Sequence, residues 1–227
     1  MTKRIVLFGA VLTLMALAAI GCGLLSEPAA PSSELEAAPV AVEESSASGA
    51  AVVYTIDPAA SEVRFELDEV LRGSPVTVVG ATDQVTGEIA IDLNDLSTAQ
   101  VGTIQVNARG LTTDNNFRNR AINNEILQTG EFEFITFAPT AVNGLSGSAA
   151  VGDTVEFTLD GDLTIRDITQ PVTFNVSATA VSDTRLEGTA NAVVQRADYG
   201  LTIPSVPSVA DVEEEVELTI DFVANAS

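Results

Sequence analysis

The segment VEFTLDGDLTI, residues 155–165, alternates without a break. Val155, Phe157, Leu159, Gly161, Leu163 and Ile165 share one parity, and Glu156, Thr158, Asp160, Asp162 and Thr164 take the other. A period of two gives a strand one apolar face and one wet face, a pattern that no helix can present. After Ile165 comes a turn, expected over DITQP with Pro171 closing it. Val172, Phe174 and Val176 then alternate with Thr173, Asn175 and Ser177. This hairpin has one apolar face, which looks either at a solid core or at a cavity.

The same pattern recurs along the chain. Strands are expected at residues 52–56, 62–67, 85–93 and 103–108. The last shows Ile104 and Val106 on one face, and the second shows Val63, Phe65 and Leu67. In EFEFITF the apolar phase slips between Phe134 and Ile135, which a bulge would explain. Further strands are expected over residues 172–180, 186–194 and 213–222. Eight or nine strands with one solvated face make an all-β, antiparallel fold, closed as a barrel or stacked as a sandwich. One segment breaks the pattern. Residues 115–127 place Phe117, Ala121 and Ile122 at helical spacing, so a short helix near the rim is expected, with capping chemistry at its asparagines.

The first fifty residues do not belong to this set. Lys3 and Arg4 precede an apolar run over residues 5–20 that is short for a membrane span. It ends in AAIGC, and small residues before a cysteine resemble a bacterial lipobox. Residues 1–21 are therefore read as a lipoprotein signal peptide, with Cys22 as the lipid-bearing anchor. An ordinary secretory signal with an incidental cysteine is the competing reading. Cys22 is the only cysteine, so no internal disulfide can form. Residues 22–51, rich in Ala, Pro, Ser and Glu, keep no period and read as a disordered tether. Residues 52–227 are one domain by size.

Composition excludes more than it assigns. There is no histidine, which removes the commonest general base and most zinc sites. No nucleophile–base pair can be named, so no enzyme is expected. DLNDLS, residues 92–97, lacks the length and spacing of a calcium loop, and no metal site is expected. The net charge is −22, and loss of Lys3 and Arg4 with the signal would take it to −24. Such a surface repels nucleic acid, so no nucleic-acid partner is expected. Arg118 and Arg120 are the only close basic pair of the domain; they could meet a polar headgroup at a barrel mouth or pair with surface acids.

Several inward positions are small: Ala178, Ala180, Gly188, Ala190 and Ala192. They could line an unfilled lumen, since a barrel of about eight strands can hold one small ligand. They could equally match large partners opposite.

At this point the residues resemble a family. YTIDPAASEVRFEL, GDLTIRDITQPVTFNV, RADYGL (196–201) and VELTIDF are similar to the motifs of the YceI-like lipid- and polyisoprenoid-binding proteins. In the helix segment TDNNFRNRAI, Asn115 and Arg118 fit the family pattern. Asn116, Asn119 and Ala121 stand where acidic, acidic and histidine residues are usual, and Glu133 replaces a usual proline. The resemblance implies an extended, eight-stranded, lipocalin-like antiparallel barrel with one short helix near the rim and an apolar lumen. The lumen residues it implies are Phe65, Ile104, Val106, Phe157, Leu163, Ile165, Phe174, Val176, Ala190 and Ala192, with Asn115 and Arg118 at a headgroup. The implied ligand is a polyisoprenoid or quinone-like lipid and no other cofactor, held by an exported protein tethered to the membrane. A structural or adhesive β-domain with a filled core is the alternative.

Overall fold

The computed structural model describes residues 26–32, 35, 39–40 and 51–226. The expected signal peptide, Cys22 and much of the expected tether lie outside the described residues. The strands are β1 (Val52–Ile56), β2 (Glu62–Leu71), β3 (Ser74–Thr82), β4 (Val85–Thr86), β5 (Glu88–Asp92), β6 (Asp95–Val101) and β7 (Ile104–Asn107). Then follow β8 (Phe134–Asn143), β9 (Thr154–Ile165), β10 (Ile168–Ser182), β11 (Arg185–Gln195), β12 (Val209–Ala210) and β13 (Glu215–Ala226). They form one curled antiparallel sheet in the order β4-β7-β8-β9-β10-β11-β13-β1-β5-β6, with β2 on β13 and β3 on β2. Gly87 alone separates β4, at one end of this path, from β5 near the other, so the sheet curls back on itself.

Among the described residues, thirteen strands stand where eight or nine were expected. The difference comes from one interruption and from three short or irregular strands that were not expected. Residues 85–93 read as one strand but break at Gly87, where an added Cβ would run into the Ile104 side chain. A short turn over Pro58–Ala60 divides β1 from β2, and both still pair with β13. β13 meets β1 through Tyr54↔Ala226 to Ile56↔Ala224 and β2 through Glu66↔Glu217 to Glu62↔Asp221. Its other edge pairs β11 from Gln195↔Glu215 to Arg185↔Asn225. β3, β6 and β12 were not foreseen.

Three local expectations are corrected. The β9–β10 turn is only Arg166–Asp167, because Ile165 pairs Ile168. Arg166 takes φ +58°, the left-handed region that a two-residue hairpin demands. Pro171 lies within β10, opposite Asp162, on a stretch not yet paired to β11, so its missing N–H costs no ladder bond. The register shift in β8 falls between Pro139 and Ala141 rather than at Phe134. The helix, α1 (Asn116–Ala121), forms where expected. The Asn115 side chain accepts from the N–H groups of Phe117 and Arg118, and a π-helical turn over Ile122–Ile126 extends it.

The inward glycines are not empty wall. A Cβ on Gly161 would lie 2.5 Å from Phe137 Cζ and 2.6 Å from the Ala138 carbonyl oxygen. One on Gly188 would lie 2.6 Å from Phe222 Cζ. Each glycine is the seat of a phenylalanine ring on a neighbouring strand, so Gly188 is matched by a large partner and does not widen the lumen.

The described parts of residues 22–51 contain no helix or strand, and they touch the barrel wall. The Ser26 carbonyl accepts from the Asn124 amide, the Ala30 carbonyl from Arg109, and the Ser32 and Val40 N–H groups donate to Glu133 and Glu88. These are surface hydrogen bonds, not core contacts. Burial would raise the Glu133 pKa, but hydrogen bonds from Ser32 and Asn107 and the Arg109 guanidinium outweigh it and hold the carboxyl below its ordinary value.

Gly161→Ala forces a methyl against backbone and should cost about 1–3 kcal/mol. Thermal denaturation of the variant should show a lower Tm, and an unchanged Tm would refute the close packing of Phe137 on Gly161. Because the folded pKa of Glu133 is depressed, its contribution is present above 4.5 and is lost as pH falls through the lowered value. The protection factor of the Ser32 amide, its exchange rate taken relative to the intrinsic rate at the same pH, should therefore fall on acidification, and Glu133→Gln should lower it already at neutral pH. A protection pattern indifferent to both would rule out this contact.

Candidate functional site

The barrel encloses two cavities, of about 530 Å³ and about 90 Å³, with no wall residue in common. The larger lies at the α1 end. Its walls come from inward residues of several strands: Phe65 and Leu67 of β2, Ile135 of β8, Ile165 of β9, Val194 of β11, and Val216 and Leu218 of β13. Ala121, Ile122, Ile126 and Leu127 cover it from the helical segment, and Leu201, Ile203, Pro204 and Val206 from the loop before β12. The smaller lies toward β5 and β6 and is walled by Ile56, Ile89, Ile91, Phe157, Phe222 and neighbours.

The structure divides the sequence-derived lumen residues among these spaces. Phe65 and Ile165 line the large cavity. Ile104, Phe157, Phe174, Val176 and Ala190 line the small one, as do Ala178 and Ala180. Val106, Leu163 and Ala192 line neither, although all are buried. The series was read as one continuous wall because alternation reports which face a residue takes, not its height along the barrel.

Polar groups gather at one end of the large cavity. Asn115, Arg118, Glu69, Arg72 and Ser208 border it, and Phe117 beside them is 72% exposed. Arg118 is already engaged: it donates to Glu69 at 2.9 Å and to Asp114 at 2.6 Å. Glu69 is buried, and this pair gives its carboxylate an opposite charge at an apolar wall. Arg72 differs. It is exposed, makes no ion pair among the described residues, and stands at φ +53° in the β2–β3 turn, whose backbone N–H donates to the Ser208 carbonyl. Arg72 and Gly73 both have positive φ, the signature of a tight hairpin turn. The LRGS turn was legible in principle, but arginine is an unusual first residue there.

Arg196, from RADYGL, is buried and serves the frame. Its guanidinium donates to the carbonyls of Leu201, Val212 and Glu213 and to the Glu214 carboxylate, pinning the loop that covers the cavity. Tyr199 of the same motif is 1% exposed, and its hydroxyl has no hydrogen-bond partner among the described residues. Burial, with Asp198 adding to it, pushes its pKa up to about 12, so it stays neutral. No group of three or more metal-ligating side chains occurs among the described residues. The arrangement offers an apolar volume, a polar rim and one unpaired cation.

Comparison with known proteins places this geometry. The model of the YceI-like domain matches residues 54–224. A UPF0312 protein of Staphylococcus aureus strain MSSA476 is 28% identical over 155 residues, covering 65% of this chain and 81% of its own. Among solved structures, a polyisoprenoid-binding domain from Saccharophagus degradans implicated in plant cell wall breakdown superposes with a TM-score of 0.62 at 15% identity. The match covers 78% of this chain and 99% of that one. BcnA of Burkholderia cenocepacia superposes at 0.59 with 16% identity, over 75% and 99% of the two chains. The fold is shared with both, and the chain belongs to the YceI-like family.

Proposed function

We propose that this protein is an exported, membrane-tethered binding protein that holds one long apolar lipid, polyisoprenoid or quinone-like, in the large cavity. The observation that carries this reading is the cavity itself: about 530 Å³ of mostly apolar-walled space, bordered by Glu69, Arg72, Asn115 and Arg118, with the buried Arg196 and Tyr199 also in its wall. That volume falls within the range of small-molecule sites. An amphiphile with a greasy tail and a small polar head has the same asymmetry. Each buried isoprene unit contributes roughly 3–4 kcal/mol before losses of chain entropy, so a few units suffice for retention without a charge pair. The Saccharophagus domain with the same fold is described as polyisoprenoid-binding, which agrees.

The head is assigned to Arg72 and Asn115 rather than to Arg118, whose donors are taken by Glu69 and Asp114. Carriage, storage or protection would all use such a site. The alternative of a filled structural domain draws on the glycine–phenylalanine packing, which fills only the other half of the lumen.

Adding geranylgeraniol at a hundredfold excess over its Kd should stabilise the fold by about 2.7 kcal/mol. At ~2–4 °C per kcal/mol, Tm should rise by several degrees. Val194→Trp, which intrudes into the large cavity, should reduce that rise while the variant stays folded. No shift with any polyprenol or quinone would overturn the lipid-binding reading. The anchor is tested separately: Cys22→Ser should move the protein from the membrane to the soluble fraction, and retention in the membrane would remove the tether from the proposal.

A further inference from the structure

The layer between the two cavities is built from identifiable side chains. Inward positions pass from one chamber to the other in the same order on β9 and β11, which flank β10. On β9, Leu159 faces the small chamber, Leu163 neither and Ile165 the large one; on β11 the series is Ala190, Ala192, Val194. On β8 and β13 the change is direct, from Phe137 to Ile135 and from Ile220 to Leu218. Leu163, Ala192 and Val106, at 4%, 6% and 7% exposure, line neither chamber and belong to this layer. On its small-chamber side the Phe137 and Phe174 rings meet edge to face, with centroids 4.9 Å apart and planes at 70°. Phe137 is the register partner of Leu163 across β8 and β9, and Gly161 gives its ring a seat.

We infer that this layer is a septum that sets the length of apolar chain the protein accepts. The chain end stops short of Leu163 and the Phe137–Phe174 pair, and the ligand uses the large chamber alone. This rests on the lipid-binding reading and adds a length limit to it. At roughly 30 Å³ per carbon-sized group, close to the share of a water in the liquid, the large chamber holds on the order of 15–20 such groups. That is about three or four isoprene units. The small chamber, about 90 Å³, has room for roughly three more groups but is cut off. Truncating Leu163 to alanine removes an isopropyl group and joins the two spaces, a gain of about one isoprene unit.

The test is displacement of bound N-phenylnaphthylamine from the full-length protein by a polyprenol series: geraniol, farnesol, geranylgeraniol, geranylfarnesol and solanesol. Affinity should climb by at least about tenfold per added unit and then level off near geranylgeraniol, because further units find no wall to cover. Leu163→Ala should move the levelling point about one unit longer. Phe174→Leu, a gentler opening of the same layer, reads the same quantity if Leu163→Ala fails to fold. Ala190→Phe fills the small chamber. Alone it should leave the limit unchanged, and combined with Leu163→Ala it should restore the wild-type limit. A wild-type affinity that keeps climbing to solanesol would overturn the septum, as would an identical levelling point in wild type and both opened variants. Failure of every polyprenol to displace the probe would instead sink the lipid-binding reading, and the length limit with it.

Discussion

The fold depends on the hydrogen-bonded ladders of one strand. β13 pairs along its full length with β11 on one edge and shares its other edge between β1 and β2. Val216, Leu218, Ile220 and Phe222 keep strict alternation through it, so a one-residue slip would turn the whole inward series to solvent. The division of its outer edge has a further effect. β1 runs on to β5 at one end, and β2 runs on to β3 at the other. The barrel is therefore built as two differently walled halves on one spine, with a compact half around Phe222 and a wide half around Leu218.

Charge is arranged to leave that spine undisturbed. The acids of β13, Glu217 and Asp221, sit on its wet face, where Arg64 reaches Asp221 at 2.6 Å. Such exposed pairs contribute little singly, but the acids on the outward parity of strands such as β9 and β13 keep that face polar and the register unambiguous. At the wide end charge approaches the interior, and there the buried charges are matched. Glu69 meets Arg118, and Arg196 meets three carbonyls and Glu214. Arg72, outside this matched set, is exposed at the cavity's border.

Period-two alternation made β9, β11 and β13 legible, because each is long and has one wet face. The Asn115 cap made the helix legible. β3 was not, since Pro75 and Gly80 interrupt SPVTVVGAT and its pattern is weak. Gly80 is there because the Phe65 ring lies over it, a tertiary reason invisible in the segment. The small inward residues were ambiguous for the same cause. Ala190 borders a cavity and Gly188 does not, and only the position of Phe222 separates them. The lumen's face was readable, but its division was not. Height along a barrel is set by strand stagger, which hydrophobic period does not encode.

The empty half of the lumen follows from where the large side chains are placed. The chain has no tryptophan and nine phenylalanines. Phe137, Phe157, Phe174 and Phe222 all wall the small chamber, where they close it down to about 90 Å³. Of those bordering the large one, Phe65 is folded over Gly80 and Phe117 points outward at 72% exposure. The inward strand positions that remain there are aliphatic and short, and no rotamer of Val194, Val216 or Leu218 can fill the space. Interiors pack to nearly crystalline density, so an unfilled apolar volume forgoes contacts that a better-filled sequence would make. The aromatic side chains that could have closed it stand one layer below, in the wall that ends it.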